Sequence, residues 1–259
     1  MSGFSLKKAG GFLFDLDGVL YVGDRAVPGA VEAINFVRSK GIPCRFTTNT
    51  TTRSLESLHR KVTAFGLPVE KKEIFSATTA AAMYLRHKGS PACFFMLTED
   101  PLKDFAEFPT SETKPQYVVI GDVGKRWDYD LINKVFNMMV DGAELIALHK
   151  GRYWQVEEGL RVDIGAFVAG LEFTTGKTAT VIGKPSAAFF MYALEDMGLP
   201  AGKVVMVGDD INNDIGGAQK AGMKAILVKT GKYREELVAQ SDIKPNLIIE
   251  SIADLPGLI

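Results

Sequence analysis

The chain has 259 residues, 46% of them hydrophobic and 24% charged, which excludes a disordered, collagenous or low-complexity protein. Thirty Lys+Arg against 31 Asp+Glu leave a formal net charge of −1, so no general basic field exists to collect nucleic acid. No apolar run comes near the roughly 18 residues of a membrane helix, and no signal-peptide core heads the chain.

In chain order, GFLF (11–14) reads as a buried strand. Ala30, Ala33, Ile34 and Val37 then recur on one face of a helix over 30–40. PCRFTT (43–48) is the next strand. Leu55, Leu58, Val62 and Phe65 mark a helix that Gly66 stops, and residues 78–89 predict another closed by glycine. Cys44 and Cys93 sit in apolar runs and read as buried thiols of a reducing compartment, so the expected location is cytoplasmic. Met138 and Met139 stand at helical spacing and read as core. His59, His87 and His149 are the only histidines and lie at no zinc-ligand spacing.

In the second half YVVIG, ELIAL and ATVIG read as strands, and residues 186–198 as a helix with Phe190, Ala193, Leu194 and Met197 on one face. KVVMVG is a strand, NNDIGGAQKAG a helix and KAILV a further strand. This alternation predicts an α/β protein: a Rossmann-like parallel sheet core with helices on both faces. Between residues 79 and 178 the texture changes to an acidic, proline-containing stretch and the polar-aromatic run HKGRYW. The expected organisation is a core of 1–78 and 179–259 with an inserted α/β cap domain over 79–178.

Four strand ends carry the chemistry. GFLF runs into Asp15-Leu16-Asp17-Gly18, and CRF into Thr47-Thr48-Asn49. ATVI runs into Gly183-Lys184-Pro185, and VVMVG into Asp209-Asp210 with Asp214 beyond. Ligands of a parallel α/β sheet sit beyond the carboxyl ends of its strands, where these segments can converge. Asp15, Asp17 and Asp209 are hard anionic oxygen donors of the kind Mg²⁺ selects. Lys184 offers a point positive charge to phosphate oxygens, and Thr48 and the backbone around Asn49 offer neutral donors. Such a set serves phosphoryl transfer. Asp15, first off its strand, is the candidate nucleophile, and Asp17 the candidate general acid. Taken singly, Asp209 and Asp214 would read as a helix cap and a first-turn acid, a role compatible with metal binding.

DLDGVL, the Thr48-Asn49 strand end, Gly183-Lys184-Pro185 and GDDINND, in this order, resemble the four motifs of the haloacid dehalogenase superfamily. TTNTTTRS, HKGRYW, GAFVAGLEF and VKTGKY are further similar to its class IIA branch with a C2-type cap. The likeness implies Asp15 as nucleophile, Asp17 as general acid/base, and Mg²⁺ on the carboxylates of Asp15 and Asp209 and the backbone carbonyl of Asp17. It implies phosphoryl binding by Thr48, Asn49 and Lys184, with Asp210 and Asp214 behind the metal's ligands. It also implies a phosphatase of small phosphorylated metabolites, with pyrophosphatase or phosphoamidase activity within range, and a homodimer through the cap.

Other readings compete with these expectations. A phosphotransferase would differ only in the group that accepts the phosphoryl. A receiver-like phospho-acceptor would lack Asp17 and have about half this length. Gly170–Thr178 ends like a phosphate loop but has five residues between its glycines where that loop needs four, and reads as a helix end plus a turn. His149, Lys150, Arg152, Tyr153 and Trp154 read either as substrate-selecting residues or as a cap strand with a solvated edge.

Overall fold

The computed structural model describes residues 6–156 and 159–259. The chain divides into two compact units: residues up to 48, 58–75 and 184–259 form the first, and 49–57 with 76–183 the second.

The first unit is built on a six-stranded sheet in the order Leu247–Ile249, Lys224–Val228, Val204–Gly208, Gly11–Asp15, Cys44–Thr48, Ile74–Ser76. Gly11–Asp15 runs parallel to both its neighbours, and so does Lys224–Val228. Every residue of GFLFD and VVMVG is buried, which is why these runs show no polar alternation. Phe12, Phe14 and Phe46 stack with centroids 5.4 and 5.9 Å apart, and Phe189 meets Phe75 and Phe190 edge-on at 5.3 and 5.5 Å. The helix Ala30–Ser39 buries Ala30, Ala33, Ile34 and Val37, the face its periodicity selects.

Strand order reverses at Gly11–Asp15. The chain passes from there to Cys44–Thr48 and Ile74–Ser76 on one side, and the strands after residue 203 fill the other. Such a reversal opens a crevice at the carboxyl ends of the two strands flanking it, here Gly11–Asp15 and Val204–Gly208.

The second unit has its own parallel sheet, in the order Thr180–Val181, Glu144–Ala147, Tyr117–Ile120, Cys93–Met96. Val135, Met138 and Met139 from one helix and Val168 and Leu171 from another pack with Val118, Ile120 and Leu145. Met138 and Met139 are thus core residues. Gly170–Thr178 is the end of the helix Gly165–Thr175 closed by Gly176 at φ +68°, the helix-end-plus-turn its spacing predicts. In the HKGRYW run Lys150 pairs with Glu172, and the Gly151 N–H donates to His149 Nδ1 at 3.1 Å. Tyr153 and Trp154 lie exposed on a strand that pairs antiparallel with Gly159–Val162.

Two features depart from the periodicity. The 212–222 segment begins as a wide π turn, Ile211–Gly216, and only Gly217–Lys220 is α-helical. A β-carbon on Gly217 would sit 2.5 Å from Phe190 Cε2, so close packing selects a residue that propagates helix poorly. Tyr21–Val22, Arg25–Ala26, Ile74–Ser76, Cys93–Met96 and Leu247–Ile249 are short strands outside the predicted set. The two- and three-residue runs among these cannot express a period, and only their neighbours make them strands. Both cysteines are buried free thiols; burial pushes Cys44 up to about 12 and Cys93 to about 11, so neither is a nucleophile. Among the described residues no helix is long and apolar enough to cross a membrane.

Candidate active site

Asp15 closes the strand Gly11–Asp15, and Asp209 follows Val204–Gly208 on the other side of the reversal. Asp214 comes back toward them from the π turn, and Lys184 lies just ahead of the helix Ala187–Met197. All four are buried, with Asp214 only 1% exposed and Lys184 5%. Lys184 Nζ donates to Asp15 Oδ1 and, at 2.6 Å, to Asp214 Oδ1. One carboxylate oxygen from each of Asp15, Asp209 and Asp214 lies within 4.8 Å of the others. Three buried carboxylates thus cluster around one buried ammonium.

Desolvation dominates their protonation. Burial raises the Asp15 carboxyl to about 7, with Lys184 pulling it down and Asp214 pushing it up. Burial raises Asp209 to about 8, and repulsion from Asp15 and Asp214 adds to the effect. Burial also opposes the Lys184 ammonium, but Asp15 and Asp214 more than offset it and its pKa is raised.

A stability test follows. Between the ordinary carboxylate value of 3.8 and the raised values near 7 and 8, the folded state binds more protons than the unfolded one. Stability from these groups is therefore full at acid pH and lost as pH rises. In chelator, Tm should fall from about pH 5.5 to about pH 8, and the Tm gain on adding Mg²⁺ should grow over that window. A Mg²⁺-induced gain that stays constant or shrinks across it would remove these carboxylates as the metal's ligands.

Asp209 itself provides the test of whether a cation suits the site. Its Oδ2 accepts the Lys232 N–H at 2.7 Å, whereas its Oδ1 is buried with no hydrogen-bond partner. A buried anionic oxygen without a partner is costly unless a cation takes it. Asp209 and the neighbouring Asp15 offer hard oxygen donors of the kind Mg²⁺ takes.

The other expected residues take distinct places. Asp214 Oδ2 accepts the Asp210 N–H at 3.2 Å, so both Asp214 oxygens are already engaged by protein. Asp210, not Asp209, is the cap of the turn that follows: its Oδ1 accepts the N–H groups of Asn212 and Asn213 at 3.0 and 2.9 Å. Burial raises the Asp210 carboxyl, but the bonds from Asn213 and the nearby Lys232 outweigh it and hold the group below its usual range. Asp17 is exposed to solvent beside these buried groups, and what desolvation it does undergo is partial. That partial desolvation raises its carboxyl, against the pull of Lys61, Lys232 and Lys184. Gly18 follows at φ +91°, where a β-carbon would fall inside the Asp209 carboxylate. Asp15 pairs in register with Thr47, placing buried Thr48 at the adjoining strand end. Asn49 begins the segment that belongs to the second unit, where a β-carbon on Gly183 would stand 2.7 Å from its Oδ1.

Three residues beside the site were not anticipated from the residues themselves. Thr230 Oγ1 donates to the Gly18 carbonyl, Gly231 takes φ +62°, and the Lys232 N–H holds Asp209. Their only sequence signal is VKTGKY after the KAILV strand, which carries no chemistry of its own.

The family profile for haloacid dehalogenase-like hydrolases matches residues 12–108, and a HAD-hydrolase-like profile matches 181–255. The chain is 41% identical over 239 residues to haloacid dehalogenase-like hydrolase domain-containing protein 2 of Bos taurus, covering 92% of this chain and 91% of that one. It is 35% identical over 255 residues to the phospholysine phosphohistidine inorganic pyrophosphate phosphatase of Danio rerio, covering 96% and 93%. Among solved structures, the p-nitrophenyl phosphatase from Archaeoglobus fulgidus superposes with a TM-score of 0.91 at 28% identity, over 97% of this chain and 99% of that one.

Proposed function

The chain belongs to the haloacid dehalogenase-like hydrolases, and from that premise we propose that it is a Mg²⁺-dependent phosphatase working through an aspartyl-phosphate on Asp15. The observation that carries this reading is the buried Asp15 carboxylate, held by Lys184 beside the unpartnered oxygen of Asp209. The substrates are small phosphorylated metabolites. Pyrophosphate and phosphoamino compounds come within range through the relative whose name carries them.

In the first transfer a carboxylate oxygen of Asp15 attacks phosphorus while the bond to the leaving group breaks. Lys184 holds Asp15 in place and faces the phosphoryl oxygens with positive charge, and Thr48 and Asn49 supply neutral donors. Asp17, whose raised pKa favours keeping a proton, gives it to the leaving oxygen. In the second transfer the Asp17 carboxylate takes a proton from water, the water oxygen attacks phosphorus, and phosphate leaves with Asp15 restored. Asp15, Asp209 and the Asp17 carbonyl would hold Mg²⁺, with Asp210 and Asp214 behind them, and the ion would supply charge that offsets the carboxylates and the phosphoryl oxygens. The inserted domain, taken over 79–178 between core segments 1–78 and 179–259, acts as a cap that excludes water from the first transfer and admits it to the second.

The test is phosphate release from p-nitrophenyl phosphate and from an alkyl phosphate, with Mg²⁺ and in chelator. Release should require the ion. Asp17→Asn should slow the alkyl substrate by roughly 10²- to 10⁴-fold. The loss should be smaller in the first transfer from p-nitrophenyl phosphate, whose leaving group needs little protonation. Because the variant also lacks the base for the second step, phosphorylated Asp15 should accumulate. Metal-independent release would remove Mg²⁺ from the reading, and wild-type rates in Asp17→Asn on both substrates would remove Asp17.

A further inference from the structure

Asp209 is fastened at one oxygen and open at the other. The Lys232 N–H occupies Oδ2 at 2.7 Å, and the buried Oδ1 is left without a hydrogen-bond partner. The same short loop reaches the turn behind Asp17, where Thr230 Oγ1 donates to the Gly18 carbonyl. Between these two bonds Gly231 turns at φ +62°, and a β-carbon there would fall inside the Asp209 carboxylate and 2.5 Å from Gly18 Cα. A β-carbon on Gly18 would likewise fall inside the Asp209 carboxylate, 1.9 Å from the same Oδ2. One loop therefore ties together two strand ends almost 200 residues apart in sequence, and does so by main-chain and hydroxyl groups rather than by charge.

We propose that Thr230–Lys232 is a positioning loop for the metal site: it orients Asp209 so that Oδ1 alone faces the ion, and holds the Asp17–Gly18 turn in register with it. This rests on the Mg²⁺ site proposed above. Partners behind a metal's ligands set their orientation, and removing one typically costs 10- to 100-fold in metal affinity. The Lys232 side chain is not the working part. Its head lies 3.7 Å from Asp210 Oδ2 and the side chain is 70% exposed, so the contact to Asp209 comes from the backbone.

The experiment is calorimetric titration of Mg²⁺ into the full chain, with phosphate release followed against Mg²⁺ concentration in parallel. Thr230→Val should weaken Mg²⁺ binding by roughly 10- to 100-fold. Most of kcat should return at saturating ion, because the nucleophile is untouched. Thr230→Ser keeps the hydroxyl and should restore affinity to within about threefold of the unaltered chain. Gly231→Ala should weaken binding as Thr230→Val does; if that variant fails to fold, the Thr230 pair decides alone. Lys232→Ala keeps the N–H donor and should not weaken binding. The proposal is overturned if Thr230→Val, folded as judged by its Tm in chelator, binds Mg²⁺ as the unaltered chain does. It is equally overturned if Thr230→Ser fails to restore affinity, or if Lys232→Ala loses as much as Thr230→Val. An unaltered chain that binds no Mg²⁺ would bring down the metal site and the loop's role together, whereas normal binding with unaffected variants would bring down the loop's role alone.

Discussion

Asp15→Asn is expected to lower Mg²⁺-dependent phosphate release from p-nitrophenyl phosphate by at least ~10⁴-fold, the scale on which removal of a covalent nucleophile acts. The substitution keeps the shape of the side chain and replaces the attacking oxygen by an amide that cannot form the aspartyl-phosphate. Folding should not suffer with it. In the unaltered chain the Asp15 carboxylate is desolvated and repelled by Asp214, so a neutral amide relieves strain among buried charges while Lys184 keeps its bond to Asp214. The Tm of Asp15→Asn in chelator should therefore equal or exceed that of the unaltered chain at neutral pH, separating chemistry from stability. No phosphorylated intermediate should be trapped in this variant, in contrast to Asp17→Asn. Turnover surviving above about one-hundredth of the original rate would give the nucleophile's role to another group.

The second large effect concerns folding. Lys184→Ala removes the ammonium that bonds both Asp15 and Asp214, and leaves two buried carboxylates facing each other without compensation. Breaking a buried ion pair from one side costs about 3–5 kcal/mol. For a chain of this size that corresponds to a Tm lower by roughly 10 °C. The loss has a definite sign with pH. The Asp15 carboxyl escapes the repulsion by taking up a proton, and its folded-state pKa rises further without Lys184, so the deficit should be larger at about pH 8 than at about pH 5.5. Mg²⁺ should recover part of it by supplying the missing positive charge. Thermal melts at both pH values, with and without the ion, check this. A deficit that is the same at both pH values would mean that Lys184 stabilises by packing its alkyl stem, not through Asp15 and Asp214. The same variant should release phosphate poorly even where it is folded, since Lys184 also faces the phosphoryl oxygens in the mechanism proposed above.

Much of the architecture is legible from local pattern. GFLF and VVMV are uninterrupted apolar runs because both faces of their strands are covered, and the structure places them side by side at the centre of the sheet. Ala30, Ala33, Ile34 and Val37 announce their helix face by spacing alone. The acids after the two strands are legible too, because a charged group directly after a buried run marks the strand's carboxyl end. The π turn at Ile211–Gly216 and the short strands are not, since a wide turn and a three-residue strand are set by what packs against them.

By itself, then, the sequence determined the class of fold, the strand ends and the inventory of carboxylates, lysine and hydroxyls, since each depends on residue type and on spacing along the chain. Tertiary structure decided how those groups are used. It made Asp210 the cap where spacing offered Asp209, engaged both oxygens of Asp214, and left one oxygen of Asp209 without a partner. It also brought Thr230, Gly231 and Lys232 against Gly18 and Asp209. Hydrogen bonds are short and directional, so which oxygen of a carboxylate is held and which is open depends on placement at the scale of an ångström. Only a folded sheet, with its strands in register, sets distances at that scale between residues so far apart in sequence.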